Sequence, residues 1–222
     1  MMKTRACTWL FFICAVTISC KESGKEVKKA DELNAGTTQV DPATTRENQQ
    51  QEKIIDIKVD YLDIVKARDN NNLKETHLKY NCNGEKSGEI HFYTDDSGLR
   101  FIEHVHAEYD HHQAKDQYFI KDGKLFFIFL EKTDWSFVES QAAENATQDK
   151  ITEERYYIAG DTLINCLTKQ YTVRSDAENN TRSEDIPNKK ANCPPIEDLM
   201  SQYNLLLKYA DKKGSIKCLE EG

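Results

Sequence analysis

Positive charge is what this chain has too little of. Its 30 Lys and Arg stand against 38 Asp and Glu, a formal net charge of −8, and about −10 once Lys3 and Arg5 are set aside. Phosphate backbones and anionic headgroups are bound by clustered Lys and Arg, so the deficit excludes nucleic acid as a partner and a polybasic contact with a membrane surface. Hydrophobic runs are also short. The longest, residues 6–19 (ACTWLFFICAVTIS), falls below the roughly 20 apolar residues that span a bilayer and gives way to Cys20, Lys21 and Glu22. Diagnostic motifs are missing too: there is no Gly-x-Ser-x-Gly elbow, glycine-rich phosphate loop, His-Glu-x-x-His helix or Cys-x-x-Cys pair. The segment from 21 to 53 has no aromatic residue at all and is rich in Lys, Glu, Thr, Gln and Asn. Such a stretch cannot bury enough apolar surface to offset the entropy of ordering it.

What is there begins at the N-terminus. Lys3 and Arg5 followed by the apolar run have the layout of a signal peptide, residues 1–19. The run ends in Thr17, Ile18, Ser19 and Cys20, which resembles the lipobox of bacterial lipoproteins, although leucine is more usual where Thr17 stands. The resemblance implies that Cys20 becomes the mature N-terminus and carries a diacylglycerol and further acyl chains such as palmitate, two or three of which make a stable anchor. An ordinary signal peptide cut near Ser19, with Cys20 free or disulfide-bonded, is the alternative, and it also exports the protein. The start CKESGKE is similar to surface-exposed lipoproteins of the Bacteroidota.

Cys7 and Cys14 leave with the signal, and Cys82, Cys166, Cys193 and Cys218 remain. An even number in an oxidising compartment reads as two disulfides. Three pairings are open. A helix over residues 195–213 is roughly 27 Å long, so Cys218 returns to Cys193 only across a fully stretched chain, and Cys82 to Cys218 with Cys166 to Cys193 is preferred.

Residues 20–53 are expected to be the lipidated N-terminus and a disordered tether, and residues 54–222 a single domain. Within it three windows stack without gaps: HFYTDDSGLRFI from His91, QYFIKDGKLFFI from Gln117 and RYYIAGDTLINC from Arg155. Each has two adjacent aromatics, a turn through Asp or Gly, and a leucine six residues after the second aromatic, at Leu99, Leu125 and Leu163. This is hairpin grammar. Strands are expected near 75–82, 88–94, 98–109, 114–121, 124–132, 151–158 and 161–173. In KLFFIFLEK both faces are apolar, so the sheet must be covered on both sides or curl. Ile196, Leu199, Met200, Tyr203, Leu206, Leu207 and Ala210 mark an amphipathic helix over 195–213, and residues 56–70 read as another. The expected fold class is α+β, a curved antiparallel β-meander of about seven strands with an N-terminal helix and a C-terminal amphipathic helix packed on it. Residues 139–150 and 175–192 are polar and without period, and read as mobile loops.

The sharpest chemical cluster is HVHAEYDHH. His104, His106 and Glu108 share one strand face, with Asp110, His111 and His112 at the turn that follows. Two imidazoles at i and i+2 with Glu108 or His91 as a third donor form a zinc-like set, yet histidines and acids equally suit a solvent-facing strand near a sheet edge. Trp135 reads as a strand-end core aromatic, with stacking on a glycan or peptide as the rarer role. No cofactor or catalytic residue is assigned.

The favoured function is therefore a non-enzymatic, membrane-anchored lipoprotein of the cell envelope. It would bind another envelope protein, a peptide or a glycan. A metal-dependent hydrolase using His104, His106 and Glu108 is the alternative. As a whole the chain is similar to hairpin-rich lipoproteins of the Bacteroidota, a resemblance that lies in the lipobox and the aromatic-turn-leucine hairpins and implies no functional residue beyond Cys20.

Overall fold

The structure is a computed structural model that describes residues 42–138 and 145–219, with side chains from residue 46 onward. The signal peptide, Cys20, the tether as far as residue 41 and the loop at 139–144 lie outside the described residues. Helix α1 (Pro42–Asp69) is followed by seven strands: β1 (Lys74–Cys82), β2 (Lys86–Asp95), β3 (Gly98–Glu108), β4 (His112–Lys121), β5 (Lys124–Phe137), β6 (Thr147–Ala159) and β7 (Thr162–Arg174). A 3-10 turn (Ser183–Asp185), β8 (Lys189–Lys190), α2 (Ile196–Leu207) and β9 (Gly214–Ile216) complete the chain. One nine-stranded sheet runs in the order β8-β7-β6-β5-β4-β3-β2-β1-β9. Its body is an antiparallel meander, and β9 joins β1 in parallel, which makes the sheet mixed. The fold is α+β with nine strands, not seven. β8 and β9 escape a sequence reading because two or three residues cannot display an alternation.

The repeated windows have a common geometry. Register shifts fall between Tyr93 and Thr94, between Phe119 and Ile120, and between Tyr157 and Ile158, directly after the second aromatic of each window. Thr94, Ile120 and Ile158 then pair with Leu99, Leu125 and Leu163. The first aromatic of each window, Phe92, Tyr118 or Tyr156, is buried on the α2 side of the sheet, and the second packs on the α1 side. Two adjacent aromatics on a strand must point to opposite faces, so each window supplies a ring to both cores at once. At the Asp122-Gly123 turn φ is positive at both residues (51° and 72°), the geometry that favours Asp-Gly between two strands.

On one face Tyr93, Phe101, Phe119, Phe127 and Tyr157 form a row of rings across five strands, with neighbouring centroids 4.7–5.7 Å apart. α1 lies over this row through Ile54, Ile57, Tyr61 and Ile64, and the Tyr61 ring meets Phe119 edge-on at 4.9 Å. The helix starts at Pro42, well before the expected residue 56, so residues 42–53 are helical where a tether was expected. Residues 46–53 are exposed, which is why no apolar period betrays them. On the opposite face α2 packs through Tyr203 and Leu206 onto Leu78, Tyr118, Ile128, Ile158 and their neighbours. It ends at Leu207, not near residue 213, and the chain then turns through Lys208–Lys212 into β9.

Disulfides join Cys82 to Cys218 and Cys166 to Cys193. The segment expected to be a structureless loop at 175–192 carries the 3-10 turn and β8, and it is tied to the sheet by a buried polar group. Lys169 donates to the backbone and side-chain oxygens of Ser183 at 2.6 Å, while Ser183 and Arg155 each donate to Glu153 at 2.5 Å. Residues 147–150, expected in the other loop, belong to β6.

Candidate functional site

β3 lies between β2 and β4, well inside the sheet. His104 pairs with Ile90 and Asp116, and His106 pairs with Gly88 and Ala114. Pairing puts His104 and Asp116 directly opposite each other on one face, with His106 diagonal to them. That face is the α2 side. His104 is 0% exposed, whereas Val105, on the other side of the strand, is 42% exposed. The expectation that the histidine face is wet and near an edge is therefore reversed. The alternation is as expected but its sides are exchanged, because the α1 cluster reaches Phe101 and does not include Val105.

The local contacts are specific. His104 Nε2 and the Tyr80 hydroxyl are 2.9 Å apart, and the His104 and His106 rings stack at 4.3 Å. His106 Nε2 lies 3.2 Å from Asp116 Oδ2, and His104 Nδ1 lies 4.0 Å from the same oxygen. Gly88 makes room for the phenol: a Cβ there would stand 2.7 Å from the Tyr80 hydroxyl and from the Val105 carbonyl oxygen. Burial lowers the His104 pKa to about 3, with the neighbouring charges of His106 and Lys86 acting in the same sense. Burial, and then the Asp116 carboxylate, raises the Tyr80 phenol. His104 is thus a neutral imidazole at any physiological pH. The Nδ1 atoms of both histidines are buried with no hydrogen-bond partner.

Of the residues named from the sequence, His104 and His106 converge and the others do not. Glu108 is exposed at the end of β3, opposite Lys86 and His112. His91 is on the far face, where it meets Glu75 at 2.6 Å. His112 pairs with Asp134 at 2.7 Å, and His111 lies against Trp135. Trp135 is partly buried within β5 and donates its indole N–H to the Asp110 carbonyl. In place of Glu108 the fold brings in Asp116, whose carboxylate and the two imidazoles have ligand atoms all within 4.8 Å of one another. Asp116 was within reach of sequence reasoning. A turn centred on residue 110 puts residue 116 opposite 104, as the register confirms. Tyr80 and Gly88 come from other strands and gave no such signal.

A cleft of about 510 Å³ is lined mainly from the Val105 face of the sheet, by Ser87, Glu89, Val105, Ala107 and Gln113, and His106, Tyr80 and Gly88 also border it. Among the described residues no serine, threonine or cysteine is hydrogen-bonded to either histidine, and all four described cysteines are in disulfides. The imidazoles are therefore not paired with a side-chain nucleophile among the described residues. The arrangement has the donors of a metal site. No family model, curated protein or solved structure matches this chain.

Proposed function

We propose that this protein is an exported lipoprotein of the cell envelope, anchored by acyl chains on Cys20, whose sheet domain serves as a non-enzymatic binding module. The observation that carries the reading is the use of cysteine. Cys82, Cys166, Cys193 and Cys218 are consumed in two disulfides, which supports a domain outside the reducing cytoplasm. That leaves Cys20, at the end of the apolar leader, as the remaining cysteine beyond Cys7 and Cys14 within it. No helix among the described residues is long and apolar enough to cross a membrane. The cleft beside His106, with no nucleophile at hand, favours recognition of an envelope protein, peptide or glycan over chemistry. Hydrolysis by His104, His106 and Glu108 is not favoured, since Glu108 stands apart and His104 is sealed.

The test is processing in a bacterial host with labelled palmitate. The wild-type chain takes up label and accumulates as precursor under globomycin, and Cys20→Ala does neither. Globomycin-insensitive processing of an unlabelled chain contradicts the anchor.

A further inference from the structure

We propose that His104, His106 and Asp116 bind one divalent metal ion of the zinc class, a site that stands independently of the lipid anchor. The starting point is an imbalance. A folded interior rarely leaves a polar atom unpaired, yet two imidazole nitrogens in contact with each other, His104 Nδ1 and His106 Nδ1, are both buried without a partner. The carboxylate of Asp116 is beside them at 8% exposure.

The tautomer sharpens the point. When His104 donates its Nε2–H to the Tyr80 oxygen, Nδ1 presents a lone pair toward Asp116 Oδ2 at 4.0 Å, and two acceptors face each other across a gap. A cation between them removes the conflict. When Tyr80 donates instead, the Nδ1–H points at an oxygen too distant to accept it. Only the first arrangement uses both ring nitrogens of His104, with an ion as the partner of Nδ1.

The spacing agrees. Bonds of about 2.0–2.2 Å in a tetrahedral shell put neighbouring donors about 3.4 Å apart. His106 Nε2 and Asp116 Oδ2 are already 3.2 Å apart, His104 Nδ1 stands 4.0 Å from the same oxygen, and the three donor atoms, all within 4.8 Å of one another, need to draw together by about 1 Å to close the shell. Two imidazoles and one carboxylate select borderline ions of the zinc kind over calcium or magnesium, which take oxygen. Tyr80 holds the far nitrogen of His104, the role that an outer-shell partner plays for a metal-bound histidine. The protein supplies three donors, which leaves a fourth tetrahedral position for water or a donor from a bound partner.

The experiment uses the full chain, stripped with chelator in detergent and titrated with Zn²⁺ by calorimetry, with elemental analysis for stoichiometry. His77 and His91, whose rings are 6.0 Å apart on the opposite face, are a competing surface pair, so the His77→Ala/His91→Ala variant is titrated alongside. One equivalent should bind in both proteins. Asp116→Asn and His106→Ala should each weaken binding by at least ~10-fold, and Tyr80→Phe, which keeps the ring, by about 10-fold. Should Asp116→Asn or His106→Ala fail to fold, Co²⁺ absorption of the His77→Ala/His91→Ala variant decides: intense tetrahedral d–d bands support the site, and weak octahedral bands overturn it. Absence of a stoichiometric ion, or binding lost in the surface variant but kept in Asp116→Asn, also overturns it.

Discussion

At the scale of single residues, the fold depends on close approaches that a one-atom change disturbs. Gly88→Ala drives a methyl into the Val105 carbonyl as well as the Tyr80 phenol. Backbone cannot yield as a flexible side chain can, so a loss of about 1–3 kcal/mol is expected, read as a lower denaturant midpoint with unchanged slope. Glu153 carries a second sensitivity. Burial alone would raise its carboxyl, but hydrogen bonds from Ser183 and Arg155 and the charges of Arg155 and Lys169 outweigh that and hold it below the ordinary value of 4.5. A carboxyl depressed in the folded state binds fewer protons than in the unfolded chain. Its contribution is complete above pH 4.5 and is lost as pH falls through the lower folded value. Glu153→Gln should therefore cost about 3 kcal/mol at neutral pH, because Lys169 stays buried without its counter-charge. Thermal melts across pH should also show a shallower acid dependence in the variant. These dependences were not legible in the sequence, since Glu153, Lys169 and Ser183 are distant in the chain and join through a segment without any period.

At the scale of elements, the two helices differ in what they bury. Leu206 of α2 is fully buried, and Leu206→Ala should cost about 2–5 kcal/mol. Ile55, Val59 and Leu62 of α1 point outward at 51, 51 and 60% exposure. Leu62→Ala should change stability by no more than about 0.5 kcal/mol, checked by the same denaturant midpoint. The hairpin strands were legible from aromatic and β-branched runs broken by Asp or Gly turns, and the aromatic pairs announced that both faces are covered. The first turns of α1 were not, because residues 46–53 lie exposed along the helix, where Gln50 donates to the Ile164 carbonyl. Of the site, the histidine pair could be read from HVH in one strand. Its true carboxylate required the β3–β4 register.

At the scale of the whole molecule, two disulfides fasten the ends of the α2 region to the sheet, one at β7 before the helix and one at β1 after it. The Cys82–Cys218 bond closes a separation of 136 residues and Cys166–Cys193 one of 27. Restriction of the unfolded chain grows with the logarithm of loop length, so replacing the first pair with alanine should cost about 1 kcal/mol more than replacing the second, measured by chemical denaturation of the two double variants. β9, hydrogen-bonded to β1, forms the sheet edge opposite β8. The account of this protein as an anchored envelope module rests finally on what is attached to Cys20. Intact-mass spectrometry of the chain extracted from the membrane fraction measures it directly. The account predicts a species that begins at Cys20 and is heavier than the polypeptide by a diacylglycerol and any further acyl chain. An unmodified polypeptide of the mass expected for cleavage near Ser19 would contradict it.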